Sequence, residues 1–126
     1  FSPLRLSTRF CELAGKGWII NITDSNIIRP NHNFQNYRIS KLFLEEITRQ
    51  QAFLFAPSVR VNAIAPGAML PSDTEDTQYF YSLSEKIPLG KTGDLRSLTD
   101  TFEFLVNTPY LTGEVIRVDG GWHLSA

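Results

Sequence analysis

Residues 17 to 26 read GWIINITDSN, an apolar, β-branched run that stops abruptly in four short polar residues. A run without polar alternation is the pattern of a strand buried on both faces, the situation of strands in parallel sheets. Gly15 and Gly17 bracket the turn before it, so Trp18 to Ile22 is the expected strand.

On the carboxyl side of this run, Phe34 to Phe55 contains no Gly or Pro. It places Ile39, Leu42, Phe43, Ile47, Leu54 and Phe55 mostly on one helical side, which predicts a long helix closed by Pro57. SVRVNAIAPG, residues 58 to 67, then alternates Val59, Val61, Ala63 and Ala65 before Pro66 and Gly67 end a second strand. Strand, helix and strand make a crossover, right-handed by default. On the amino side, Leu4, Leu6, Phe10 and Leu13 have loose helical spacing, with Ser2 as N-cap and Pro3 at the first helical position.

Residues 69 to 88 are polar and acidic around Tyr79, Phe80 and Tyr81, and read as an excursion with one short helix that serves as a substrate lid. The aromatic trio is read as packing, and Asp73, Glu75 and Asp76 as a solvated charge cluster. GDLRSLTDTFEFLVN (93–107) predicts a helix capped by Asp94 with Leu95, Leu98, Phe102 and Leu105 on one face, and EVIRVDGG (114–121) a last short strand. Alternating strands and helices give an α/β class with a parallel sheet.

A chain of 126 residues, 42% of them hydrophobic, is long enough for one core and too short for two ordinary domains. Lys plus Arg number 12 against 13 Asp plus Glu, so no basic excess steers the chain to nucleic acid or an anionic membrane. A small molecule or another protein is the expected partner. Cys11 is alone and forms no internal disulfide, which fits a reducing, cytoplasmic setting. No apolar run approaches the roughly 20 residues that span a bilayer. The chain opens without Met, which suggests a fragment.

In open α/β sheets ligands sit beyond the carboxyl ends of the strands. Asp24 and Pro66-Gly67 both follow strand ends joined by one crossover, and parallel pairing puts them on the same edge. Tyr37 and Lys41, four residues apart on the long helix, share a face one turn apart. A phenol titrates near pKa 10, and an ammonium beside it is expected to lower that value and make it a competent proton donor and acceptor.

Taken in order, GWIINITDS, then NYRISK with Tyr37 thirteen residues after Asp24, VRVNAIAPG, IPLGKTGD and YLTGEVIRVDGGWHL resemble the carboxyl-terminal half of the short-chain dehydrogenase/reductase family. The resemblance implies half of a Rossmann-type, doubly wound parallel sheet with helices on both faces. Tyr37 would be the catalytic acid, and Lys41 would lower its pKa and hydrogen-bond the nicotinamide ribose. Pro66, Gly67, Ala68 and Met69 would line the nicotinamide, Ile22 and Thr23 would form its floor, and Leu70 would stand beside the substrate.

One position departs from that pattern. The family usually carries a catalytic Ser where this chain has Asp24, and Ser25, one residue on, would point to the opposite side. An ionised carboxylate only accepts hydrogen bonds and would repel a developing oxyanion, but it suits a nitrogen heterocycle that offers N–H donors. Asp with Tyr and Lys retained resembles the pteridine reductase branch, including the bacterial dihydromonapterin reductases. This implies reduction of a dihydropterin or dihydrofolate by NADPH, with Asp24 and Tyr37 at the substrate. The family's Gly-rich cofactor turn would belong to an amino-terminal half not included in these 126 residues. The resemblance also implies a homo-oligomer, commonly a tetramer.

Two other readings stand beside this one. The chain could serve as a general carbonyl, 3-oxoacyl or enoyl-type reductase in which Asp24 is incidental, or as a non-catalytic half-domain acting in oligomerisation. LGKT (89–92) is no phosphate-binding loop, because Glu85 stands where that motif needs Gly. Gly15-Lys16-Gly17 precedes a strand, whereas a dinucleotide fingerprint follows one. His32 and His123 have no partners at metal-ligand spacing, so no metal is expected.

Overall fold

Three apolar runs become strands and their periodic neighbours become helices, in a computed structural model that describes residues 2–71 and 76–125. Helix α1 spans Ser2–Ala14, strand β1 Gly17–Ile22, helix α2 Gln35–Phe55, strand β2 Val59–Pro66, helix α3 Thr77–Ser82, helix α4 Leu95–Asn107 and strand β3 Val115–Val118. Short 3₁₀ turns occupy Ser25–Ile27, Leu83–Lys86 and Trp122–Leu124. Asp73 and Glu75 of the expected acidic cluster lie outside the described residues, and Asp76 caps α3 by accepting from the Gln78 amide.

Both strand pairs are parallel, in the order β1-β2-β3, with registers running from Gly17↔Val59 to Ile22↔Ile64 and from Ala63↔Val115 to Pro66↔Val118. All three carboxyl ends therefore meet at one edge. Asn21 of β1 donates to Thr48 of α2 at 3.0 Å, while Trp18, an odd number of residues away, packs edge-on against Phe102 of α4 with ring centroids 5.3 Å apart. Side chains an odd number apart on a strand point to opposite faces, so α2 and α4 cover the two sides of the sheet. The layout is the α/β arrangement with a parallel sheet that the spacing predicts, with helices on both faces as the family resemblance implies.

Central β2 is buried on both faces, with Val61, Ala63 and Ala65 fully enclosed and Asn62 and Ile64 at 1% exposure. Strand β1 differs from the expectation of two-sided burial: Trp18 and Ile22 remain 41% and 51% exposed. The cause is position, because among the described residues β1 pairs only with β2 and forms the sheet's edge.

Helix α2 also departs from its apolar periodicity. Of its expected core row only Ile47 is buried, whereas Ile39, Leu42 and Leu54 are exposed. The face turned inward carries Leu44, Glu45, Ile47, Thr48, Gln51 and Ala52. Leu44, Ile47 and Ala52 supply its apolar part, and Asn21 and Thr23 hydrogen-bond Thr48 and Glu45 there. Hydrogen-bonded polar residues thus share the inner face with apolar ones.

Arg60, pointing to the α4 side, closes the carboxyl end of that helix. Its Nη1 donates to the carbonyls of Leu105, Thr108 and Leu111 at 3.0, 3.2 and 3.0 Å, and its Nη2 to that of Val106 at 3.0 Å. A cation there satisfies terminal carbonyls and complements the helix dipole. Arg60→Met keeps the length of the side chain and removes the donors, and is expected to lower the unfolding free energy by about 2–3 kcal/mol, read from the urea midpoint. At the other end, Asp94 caps α4 through the Ser97 amide at 2.8 Å. Among the described residues no helix is long and apolar enough to cross a membrane.

Candidate active site

The chain leaves β1 at Ile22 and enters the tight turn Ser25–Ile27 with Asp24 in extended geometry as the turn's cap. One Asp24 oxygen, Oδ1, accepts from the Asn26 amide at 2.8 Å. The other, Oδ2, accepts from the Tyr37 hydroxyl at 2.8 Å. The ordinary turn-capping role of an Asp and a contact with the phenol are therefore filled by the two oxygens of a single carboxylate. Ser25 is buried at 1% exposure and turned away from Tyr37, as the alternation of an extended segment requires.

Three consecutive residues of this segment are each tied to α2. The Ile22 carbonyl accepts from Lys41 Nζ at 2.9 Å, the Thr23 hydroxyl lies 3.3 Å from Glu45 Oε1, and Asp24 accepts from Tyr37. Glu45, buried at 4% exposure, also lies 3.9 Å from Arg117 of β3. Thr23 is joined to β2 as well, its amide donating to the Ile64 carbonyl at 2.8 Å. Arg38 stiffens the turn after Asp24 by donating to the carbonyls of Asn26 and Ile27 at 2.7 and 2.8 Å.

Electrostatics at Tyr37 run opposite to the expected lowering. Burial, then the hydrogen bond to Asp24, then the Asp24 charge push the phenol up to about 12. Lys41 Nζ lies 5.7 Å from the centre of the Tyr37 ring and donates to the Ile22 carbonyl, while the carboxylate is in direct contact. The nearer charge wins. In this arrangement Tyr37 is a held proton donor and Asp24 its acceptor.

Two clefts meet at Asp24 and Asn26. The first, of about 380 Å³, is bounded by Pro66 at the end of β2, by Gly67, Ala68, Met69 and Leu70 after it, and by Phe80, Leu83 and Trp122. The second, of about 400 Å³, is lined by Asn31, Asn33, Phe34, Tyr37 and Arg38. Asp24 and Pro66 to Leu70 thus border one cleft and Asp24 and Tyr37 the other, while Ile22, Thr23 and Lys41 line neither. Phe80 is buried at 3% exposure and packs edge-on against Tyr81, so the packing reading holds for Phe80, whereas Tyr79 and Tyr81 are exposed.

Gly67 is demanded by space, since a Cβ there would come within 2.7 Å of Asp119 Cβ. Asp119, which sequence reasoning did not single out, organises the turn beneath Trp122. Burial would raise its carboxyl, but the His123 amide and ring and the Gly121 amide together hold it below the usual carboxylate range. His123 Nδ1 lies 2.8 Å from Asp119 Oδ2, and Arg29 donates to the Trp122 carbonyl at 2.8 Å. Among the described residues no group of three or more His, Cys, Asp or Glu side chains converges as metal ligands do.

Phe34 is the other residue that spacing did not reveal. It precedes α2 with φ 56° and ψ 39°, left-handed, with no side-chain cap to the helix, and is 80% exposed. It is the one non-glycine residue with positive φ among those described, and that conformation costs a residue with a Cβ roughly 1–2 kcal/mol.

The sequence matches the family model described as enoyl-(acyl carrier protein) reductase over residues 3–123. Among curated proteins, dihydromonapterin reductase of Citrobacter koseri is 33% identical over 106 residues, covering 84% of this chain and 44% of the relative. A protein of Streptomyces violaceoruber named as a granaticin polyketide synthase ketoacyl reductase is 33% identical over 115 residues, covering 88% and 46%. Among solved structures, FolM alternative dihydrofolate reductase 1 from Brucella canis, complexed with NADP, superposes with a TM-score of 0.84 at 36% identity, covering 88% of this chain and 44% of that one. The chain spans less than half the length of the curated relatives it matches.

Proposed function

This chain belongs to the short-chain dehydrogenase/reductase family, and from that premise we propose that it is the catalytic portion of an NADPH-dependent reductase of a dihydropterin or dihydrofolate. The observation that carries the reading is the 2.8 Å hydrogen bond from Tyr37 to a carboxylate, Asp24, at the carboxyl edge of a parallel sheet. The names of the Citrobacter and Brucella relatives support the same substrate class.

The residues present fit a nicotinamide cofactor. Lys41 has one donor on the Ile22 carbonyl and two more available for ribose hydroxyls. Pro66, Gly67, Ala68 and Met69 line the cleft beside Asp24 and would form a wall for the cofactor, with Ile22 and Thr23 at the adjoining strand end as its floor. Bound NADPH would supply hydride. The helix α3 segment, with Phe80 and Leu83 on the same cleft, is the lid within residues 69–88.

Reduction of a ring C=N bond adds hydride to carbon and a proton to nitrogen, and the chain's own share is the proton. Asp24 accepts from N–H groups of the heterocycle and orients it. Tyr37, with a pKa pushed up to about 12, keeps its proton from solvent at neutral pH and delivers it to nitrogen as that atom becomes strongly basic. Asp24 beside Tyr37 is unfavourable for a ketone, whose developing oxyanion would meet a carboxylate. The ketoacyl reductase relative makes carbonyl reduction the reading to beat.

The outward apolar residues of α2, Ile39, Leu42, Phe53 and Leu54, support assembly of like chains, and a tetramer is the proposed state. The native protein, given NADPH with 7,8-dihydrobiopterin, 7,8-dihydrofolate or a 3-oxoacyl thioester, is expected to oxidise NADPH with the heterocycles at least about tenfold more efficiently. Preference for the thioester would sink the proposal.

A further inference from the structure

Phe34 is held at a cost and pays for it in no visible way: its left-handed backbone suits Gly or Asn, its position before α2 suits a hydrogen-bonding cap, and its ring is 80% exposed. Asn at this position would relieve the backbone. Backbone strain that persists without a structural return points to function.

The place of the ring says which function. Phe34 lines the cleft of about 400 Å³ that contains Asp24 and Tyr37, and stands three residues before Tyr37, on the same side of the helix start. The neighbours on that wall are Asn26, Asn31, Asn33 and Arg38, with Ile27 as the one aliphatic side chain, so apart from Tyr37 itself Phe34 supplies the flat aromatic face of the cleft. We infer that Phe34 is a substrate-binding and specificity-determining residue whose ring stacks on the flat heterocycle that Asp24 and Tyr37 hold. The inference rests on the proposed function and adds to it that the substrate is recognised by its planar face as well as by its N–H edge. Aromatic groups stack in offset or edge-on geometries with a preference for planar partners.

The test compares Phe34→Asn and Phe34→Tyr with the native protein, measuring the melting temperature and the kinetics of NADPH-dependent 7,8-dihydrobiopterin reduction. Phe34→Asn is expected to raise KM about tenfold, with kcat little changed and the melting temperature equal or higher. Phe34→Tyr keeps the ring and is expected to keep the native KM. A structural role makes the opposite prediction for stability, so a lower melting temperature with unchanged KM overturns the inference. An unchanged KM at any stability overturns it too, while the native protein's turnover of the pterin leaves the parent reading standing. A native protein inactive on both heterocycles overturns the parent reading and this inference with it.

Discussion

Tyr37→Phe removes one oxygen and is expected to lower kcat for the heterocycle by about 10²–10⁴-fold while leaving KM within about threefold. The aromatic ring remains, so the packing at the start of α2 is kept. What disappears is the proton that Tyr37 holds 2.8 Å from Asp24. Because burial and Asp24 push that phenol up to about 12, it is protonated throughout the neutral range. The acid form is the active one, so kcat/KM, which reports the free protein, is flat up to about pH 10 and declines only as pH rises toward about 12. Steady-state kinetics across that range check both statements. A variant within tenfold of the native kcat would mean that the proton reaches the substrate from elsewhere, water at the mouth of the cleft being the nearest source.

The parts of this arrangement legible from sequence are those encoded by local spacing. GWIINI and VRVNAIAP are long β-branched runs flanked by turn residues, and a helix without Gly or Pro joins them, so parallel strands with their ends on one edge follow directly. Tyr37 and Lys41 share a helical face by count alone. The misjudged parts depend on what lies across a contact. Counting apolar residues on α2 selected the wrong inner face, because Thr48 and Glu45 are held there by hydrogen bonds from Asn21 and Thr23 that the helix sequence alone does not show. Two-sided burial of β1 depends on a neighbour beyond its free edge.

The charge balance at Tyr37 was misread for a similar reason. Sequence puts Lys41 one turn away, but only the fold shows its ammonium on the Ile22 carbonyl and the Asp24 carboxylate in contact with the phenol. Phe34 carried no signal at all, since nothing in the propensities of Phe suggests a left-handed backbone. Arg60 and Arg38 carried no signal in the sequence either, because the carbonyls they bind are distant along the chain: Leu105 and its neighbours for the first, Asn26 and Ile27 for the second.

Asp24→Ser restores the residue that the family usually carries at this position, and its expected effect separates the two reductase readings. For a dihydropterin or dihydrofolate, kcat/KM should fall by about 10²-fold or more, because a hydroxyl cannot offer a charged acceptor to ring N–H groups. For a 3-oxoacyl thioester, the same change removes the charge that would repel an oxyanion and adds a donor for it, so kcat/KM should rise. Loss on one substrate with gain on the other cannot come from unfolding. The variant also reports on Tyr37 without any substrate: two of the three causes of its raised pKa are Asp24's, so the late tyrosinate absorbance step should move down from about 12 while burial keeps it above the ordinary value of 10.0. The sign for stability follows from linkage. A phenol whose folded pKa is raised contributes stability that is complete below its unfolded pKa, near 10, and is lost as pH climbs through about 12. Over that window the native protein should lose more stability than Asp24→Ser, a difference visible in urea midpoints on the two sides of it. If the variant keeps its pterin turnover and its late tyrosinate step, Asp24 is a turn cap and no more, and carbonyl reduction becomes the better account of this site.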